Sequence, residues 1–129
     1  MSSIFFRLAD FVAALYARWR GAKLSHAFFC NGVLVRVYTA RKLFPAWASG
    51  VTIGRNVFLL EAVEGDLEQG IELPVLKHEL WHVMQGKRWG LLFPVLYLLG
   101  WIVFGYRGNP FEREAYDKQH LCPCRGGCA

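Results

Sequence analysis

Residues 74 to 86 read Pro74-Val75-Leu76-Lys77-His78-Glu79-Leu80-Trp81-His82-Val83-Met84-Gln85-Gly86, and His78 to His82 fit the spacing H-E-x-x-H. Two histidines four apart lie one above the other on a helix, so both imidazoles can reach one ion. The glutamate between them stands beside that face, placed to accept a proton from a water activated at the ion. Pro74 suits the first helical position, Glu72 complements the positive helix start, and Gly86 suits a C-terminal stop. The spacing therefore predicts a helix over 74–86 with a metal site on one face. Two partly buried histidines that bind no metal would give the same pattern, so the rest of the chain has to decide.

A length of 129 residues is enough for one domain with a modest core. With 54% apolar, 16% aromatic and 19% charged residues, the chain is apolar for its size. Such a balance points to an aromatic core or to contact with a membrane or partner. The formal charge of +5 gathers in clusters, Arg18, Arg20 and Lys23, then Arg36, Arg41 and Lys42, then Lys87 and Arg88. Beside apolar segments these suit anionic lipid headgroups, and a solvated basic surface would look the same. No nucleic-acid-binding motif accompanies the charge, so nucleic acid is not expected as a partner. Cys30 stands alone while Cys122, Cys124 and Cys128 crowd the end, which is not a disulfide framework for this length. The expected location is cytoplasmic, peripheral on the inner face of a membrane.

Upstream of the motif, residues 1–24 predict an amphipathic helix with Ile4, Leu8, Phe11, Val12, Leu15 and Trp19 on one side and Arg7, Asp10 and Arg18 on the other. Asp10 interrupts the apolar run a signal peptide would need. The helix would lie in a membrane interface or pack on the domain. Strands are expected within 33–60: Val33 to Tyr38 after the turn pair Asn31-Gly32, then 51–53 and 57–60 as a tight hairpin around Gly54-Arg55-Asn56. Residues 61–70 carry four acids and no base, either a solvated loop or a groove lining.

Residues 89–106 hold no charge, and eighteen such residues reach the threshold for a membrane crossing of roughly 27 Å. A straight crossing would separate His78 and His82 from everything after Arg107. Pro94 and Gly100 offer bends, so a broken helix packed on the domain or dipping into one leaflet is expected, with Trp89, Tyr97, Trp101 and Tyr106 suited to an interface. Residues 109–119 then predict a short helix with Asn109 as N-cap and Pro110 first. Glu112 or Glu114 could return a carboxylate to the histidines. The tail, residues 120–129, offers His120 and three thiols at a spacing that is not standard for structural zinc.

H-E-L-W-H-V-M-Q, followed about thirty residues later by E-R-E-A-Y, resembles the gluzincin pattern of zinc metallopeptidases, H-E-x-x-H with a downstream E-x-x-A-D. Together with the preceding G-x-T-x-G of Gly50, Thr52 and Gly54, it is similar to compact bacterial zincin-like domains, the minigluzincins. The resemblance spans about residues 50–117. It implies an α+β zincin-like domain with a short antiparallel sheet, His78, His82 and Glu112 as zinc ligands, and Glu79 as general base. The family's aspartate, which orients the first histidine, is here Tyr116, with Asp117 and Gln85 as further candidates for that role.

The function so implied is a zinc-dependent peptidase-type hydrolase acting on a peptide or protein. An extended substrate would lie along an edge at strand 57–60, and Tyr97, Tyr106, Arg107, Tyr116 and His120 are candidate oxyanion donors. Membrane contact is expected through residues 4–19 and 89–106. The alternative is a non-catalytic, membrane-associated interaction domain on the same scaffold.

Overall fold

The structure, a computed structural model, describes residues 2–61 and 74–125. It is α+β, as expected: α1 (Ser2–Arg20), β1 (Lys23–Cys30), β2 (Val33–Ala40), β3 (Gly50–Ile53), β4 (Asn56–Leu60), α2 (Pro74–Trp89), α3 (Leu92–Gly108) and α4 (Pro110–Lys118). Most of the acidic stretch 61–70, Glu72 and Cys128 lie outside the described residues.

β1 has no counterpart among the expected strands. It pairs antiparallel with β2 across Asn31 and Gly32, both at positive φ as a two-residue hairpin of this type requires. β3 and β4 form the second hairpin, but β4 joins the sheet parallel to β2, so the order is β1-β2-β4-β3 and the sheet is mixed rather than antiparallel throughout. The cause is visible in β4. Asn56 to Leu59 are buried on both faces, a pattern that belongs to a central strand and leaves half-exposed β3 at the edge. Of the two strands in this hairpin, the one at the sheet edge is therefore 50–53 and not 57–60.

Val35, Val37, Val57 and Leu59 of the sheet and Leu76, Leu80 and Val83 of α2 are fully enclosed and form the main core. α1 packs on it with Phe5, Phe6 and Ala9, and Ala13 joins Ala40, Leu43 and Phe58 in a second cluster. The apolar stripe, Ile4, Leu8, Phe11, Val12, Leu15 and Trp19, for which the sequence leaves both a membrane interface and packing on the domain open, points outward at 52–68% exposure and stays out of the core. Asp10 explains the orientation. Its carboxylate takes two hydrogen bonds from the Arg55 guanidinium that run atom to atom, Nη2 to Oδ2 at 2.5 Å and Nε to Oδ1 at 3.2 Å. It also accepts one from Asn56 and lies 3.4 Å from Arg36. A polar group with three partners on the sheet faces the sheet.

α2 continues through Gly86, which is not its stop. There the helix meets Phe5 so closely that a Cβ would lie 2.8 Å from the ring. The stop is Gly90 at φ 59°, the left-handed conformation that ends helices. α3 then leaves at 120° to α2. Pro94 sits in the first turn of α3, where it bends nothing, Gly100 lies against Asn109, and the helical path breaks at Gly105. Among the described residues no single helix is long and apolar enough to cross a membrane, though α2 and α3 together pass that test as a bent pair.

The cysteines also depart from expectation. Cys30 is bonded to Cys124 across 94 residues of sequence, and Cys122 is disulfide-bonded as well. Asn31, next to Cys30, fixes the tail further: its side chain donates to the Pro123 carbonyl at 2.7 Å and accepts from the Arg125 amide at 2.6 Å.

Candidate metal centre

α2 carries His78 and His82 on one face, one turn apart, with ring centroids 5.0 Å from each other. α4 reaches them because the chain turns at Gly90 and again after α3, and several hydrogen bonds hold α4 against α2 and α3. Asn109, fully buried, caps α4 by accepting from the Phe111 amide and donates to the Tyr97 carbonyl of α3. Gln85 donates to the Phe111 carbonyl, and the Trp81 indole donates to the Lys118 carbonyl at 2.9 Å.

The result is a convergence on one carboxylate oxygen. Glu112 Oε1 lies 3.0 Å from His78 Nε2 and 3.1 Å from His82 Nε2. Glu79 lies beside them, its Oε2 at 3.9 Å from His78 Nε2, and Thr52 of β3 donates to its Oε1 at 2.9 Å. All four side chains are buried, at 3–6% exposure. Glu114, the rival for Glu112, is directed elsewhere: it accepts from Gln85 and approaches Lys118.

The outer nitrogens of both imidazoles are held by amide oxygens. His82 Nδ1 is 2.8 Å from Gln85 Oε1, and His78 Nδ1 is 3.1 Å from Gln119 Oε1. Gln85 spends its amino group on Phe111 and Glu114, so its oxygen must face the histidine. An oxygen at Nδ1 takes a proton there, so a neutral imidazole at either position carries its lone pair on Nε2, toward the site, whereas a protonated one donates from Nε2 to Glu112. Tyr116 does not take the role expected of it. Its ring packs edge-on against His78 at 4.4 Å while its hydroxyl meets that of Tyr106.

Gln119 is absent from the residues the sequence singles out, although it lies seven positions after Glu112 and thus shares its helical face. Thr52 belongs to the G-x-T-x-G motif, but the motif alone assigns it no role. Tyr97 donates a short hydrogen bond to Glu112 Oε2, which adds a fourth fixed partner.

The electrostatics reflect burial opposed by pairing. Burial raises the Glu79 pKa, and the nearby His82, His78 and Thr52 only partly offset it. For Glu112 burial acts in the same direction, but hydrogen bonds from His78, His82 and Tyr97 outweigh it and hold the carboxyl well below its usual range. Burial disfavours charge on His82, yet Glu112, Glu79 and Gln85 raise its pKa to about 9. Tyr97 and Tyr106 are raised by burial and by their acidic or phenolic neighbours, so both remain donors. The pocket thus favours positive charge at its centre.

Buried His78, Glu79 and His82 can together hold a metal ion, since their ligand atoms lie within 4.8 Å of one another. The donor set fits one in spacing too. Ligands 2.0–2.1 Å from a tetrahedral ion stand roughly 3.3 Å apart, and the separations to Glu112 are within a few tenths of that.

Two cavities open on the centre. The smaller, about 120 Å³, is lined by His78, Glu79, Gly50, Tyr106 and Tyr116 among others. The larger, about 870 Å³, runs between α1 and α3 and reaches Glu79, His82 and Glu112. Of the candidate oxyanion donors, Tyr97, Tyr106 and Tyr116 line one or both, and Arg107 and His120 line neither. Comparison with protein-family models, curated proteins and solved structures finds no match to this chain.

Proposed function

We propose that the protein is a zinc-dependent peptidase-type hydrolase of gluzincin kind, with His78, His82 and Glu112 as ligands and Glu79 as general base. The observation that carries this is the meeting of two imidazole Nε2 atoms and one carboxylate oxygen, each fixed from behind by its own partner. Zinc bound there would polarise a substrate carbonyl and make water a nucleophile near neutral pH.

The chain's own residues do the rest. Glu79, its Oε1 held by Thr52, accepts the proton of the attacking water and passes it to the departing amine. Water's oxygen becomes part of the new carboxyl group as the peptide C–N bond breaks. Tyr106, which lines both cavities, is suited to donate to the oxyanion. The free edge of β3, beside α2, can take an extended peptide as an added strand. Gln119 supplies the orienting oxygen for His78, so Tyr116 in place of aspartate is no argument for a non-catalytic scaffold.

For location we propose a membrane surface. The outward stripe of α1 and the exposed apolar residues of α3, with Phe44 and Trp47 between them, support it. The Cys30–Cys124 disulfide favours an oxidising compartment over the cytoplasm expected from cysteine spacing.

The test is the zinc content of purified protein together with three variants. About one zinc per chain is expected, lost in His82→Ala and Glu112→Ala. Glu79→Gln should keep zinc and lose hydrolysis by a factor of about 100 or more. No zinc uptake by the wild type would end this reading.

A further inference from the structure

The larger cavity has a one-sided chemistry. Its walls are Leu8 and Val12 of α1, Phe44 and Trp47 of the loop after β2, and Phe93 and Trp101 of α3. Among the described residues, the charged or titrating groups that line it are those of the metal centre, with only tyrosine hydroxyls besides, and no lysine, arginine or further acid lines it. A charged side chain seated against these walls would give up part of its hydration with no partner among the described groove residues to replace it.

The third wall is β3, from Gly50 to Ile53. Leu60 donates to the Ser49 carbonyl, which fixes the register of the hydrogen-bonded pairs with β4. In an antiparallel ladder that alternation turns the peptide groups of Gly50 and Thr52 away from β4, toward the free edge. A hydrocarbon chain would leave those groups without partners, whereas a polypeptide backbone can bond to them.

We infer that this groove holds an extended polypeptide segment of uncharged, apolar side chains, with its scissile carbonyl at the His82–Glu112 end. The inference rests on the hydrolase reading for the word scissile, but the groove's preference can be measured separately. The occupant's side chains contact α1 and α3 while its backbone runs along β3.

The experiment uses the zinc-treated Glu79→Gln chain and two capped, fluorescent ten-residue peptides. One is built from Leu, Phe and Ala, and the other has Lys and Asp at alternate leucines. Anisotropy should show the apolar peptide bound at least tenfold more tightly. Leu8→Asp and Trp101→Asp, both at half-exposed positions, should each weaken it tenfold or more with zinc content unchanged. Methylating alternate amide nitrogens of the apolar peptide should weaken it similarly, because the edge bonds are then lost.

Equal binding of the two peptides, or indifference to both substitutions, overturns the inference. An uncharged long-chain acyl amide that competes as tightly as the peptide overturns its polypeptide part. Zinc uptake without preference for the apolar peptide sinks this inference and leaves the metal centre standing. Apolar preference without zinc uptake sinks the hydrolase reading and leaves the groove.

Discussion

Gln85 Oε1 lies 2.8 Å from His82 Nδ1, and this contact decides which nitrogen of the imidazole faces the centre. Gln85 can do so because its amino group is already committed to Phe111 and Glu114. Gln85→Leu should therefore weaken zinc binding about 10- to 100-fold, as loss of an outer partner of a ligating histidine commonly does. Gln119→Leu should act alike through His78, whereas Tyr116→Phe should change affinity by less than about threefold. Competition against a chromophoric chelator measures all three. A large loss in Tyr116→Phe alone would return the orienting role to the tyrosine.

The motif helix and its two histidines are legible in the sequence because a four-residue spacing on a helix is a local property. Glu112 is legible only through its distance from the motif and a resemblance, since nothing local distinguishes it from Glu114. The groups behind the ligands are harder. Gln119 and Thr52 act through contacts made by tertiary docking, and glutamine or threonine in a sequence carries no signal of that. The expected sheet fails at β4, whose apolar run fits an edge hairpin or a central strand until its burial on both faces is known. The α1 stripe is amphipathic as expected but is not the docking face, because Ala9 and Ala13 look neutral beside larger residues although they let the helix approach closely.

Asp10 joins α1 to the sheet through Arg55, Asn56 and Arg36. Burial raises its pKa, but the hydrogen bonds from Arg55 and Asn56 and the charges of Arg55 and Arg36 outweigh that, so the folded value lies below the ordinary 3.8. A depressed carboxyl contributes stability that is complete above its unfolded pKa and is lost as pH falls through the folded value. Asp10→Asn should therefore cost about 2 kcal/mol at pH 7, and the gap to wild type should shrink below about pH 4. Urea unfolding at several pH values checks this. A gap that does not shrink as pH falls from about 5 to about 1, the range over which such a carboxylate protonates, would show that the ionised form is not what matters.

The Cys30–Cys124 bond closes a loop with a sequence separation of 94 in a chain of 129 residues, and in the chain-entropy account a long loop limits the unfolded state most. Replacing both cysteines by serine should lower stability by about 3–5 kcal/mol. The effect should reach the metal centre, because the tail held by this bond and by Asn31 comes directly after Gln119. Thermal melts with and without reductant, alongside zinc affinity, measure both. Zinc affinity unaffected by reduction would mean that α4 is held by its own docking bonds alone.

Phe11 and Leu15 stand outward on α1, at 68% and 53% exposure, and neither touches the groove. A helix that packs one face on its domain and leaves an apolar stripe outside has that stripe free for another surface. Arg18 and Arg20 at its C-terminal end, with Lys23 just beyond, give the surface a basic rim, which suits an anionic bilayer. The protein should therefore bind vesicles containing phosphatidylglycerol, more weakly as salt is raised. Each large apolar side chain is worth about 1.5–3 kcal/mol when fully buried, and 1.4 kcal/mol is a factor of ten in partition. Phe11→Asp with Leu15→Asp should thus reduce vesicle binding at least tenfold while melting temperature and zinc content stay unchanged. If the double variant binds as well as wild type, α1 does not make the contact and the exposed face of α3 must. If neither protein binds but both dimerise with rising concentration, the apolar faces meet a second copy instead of a membrane.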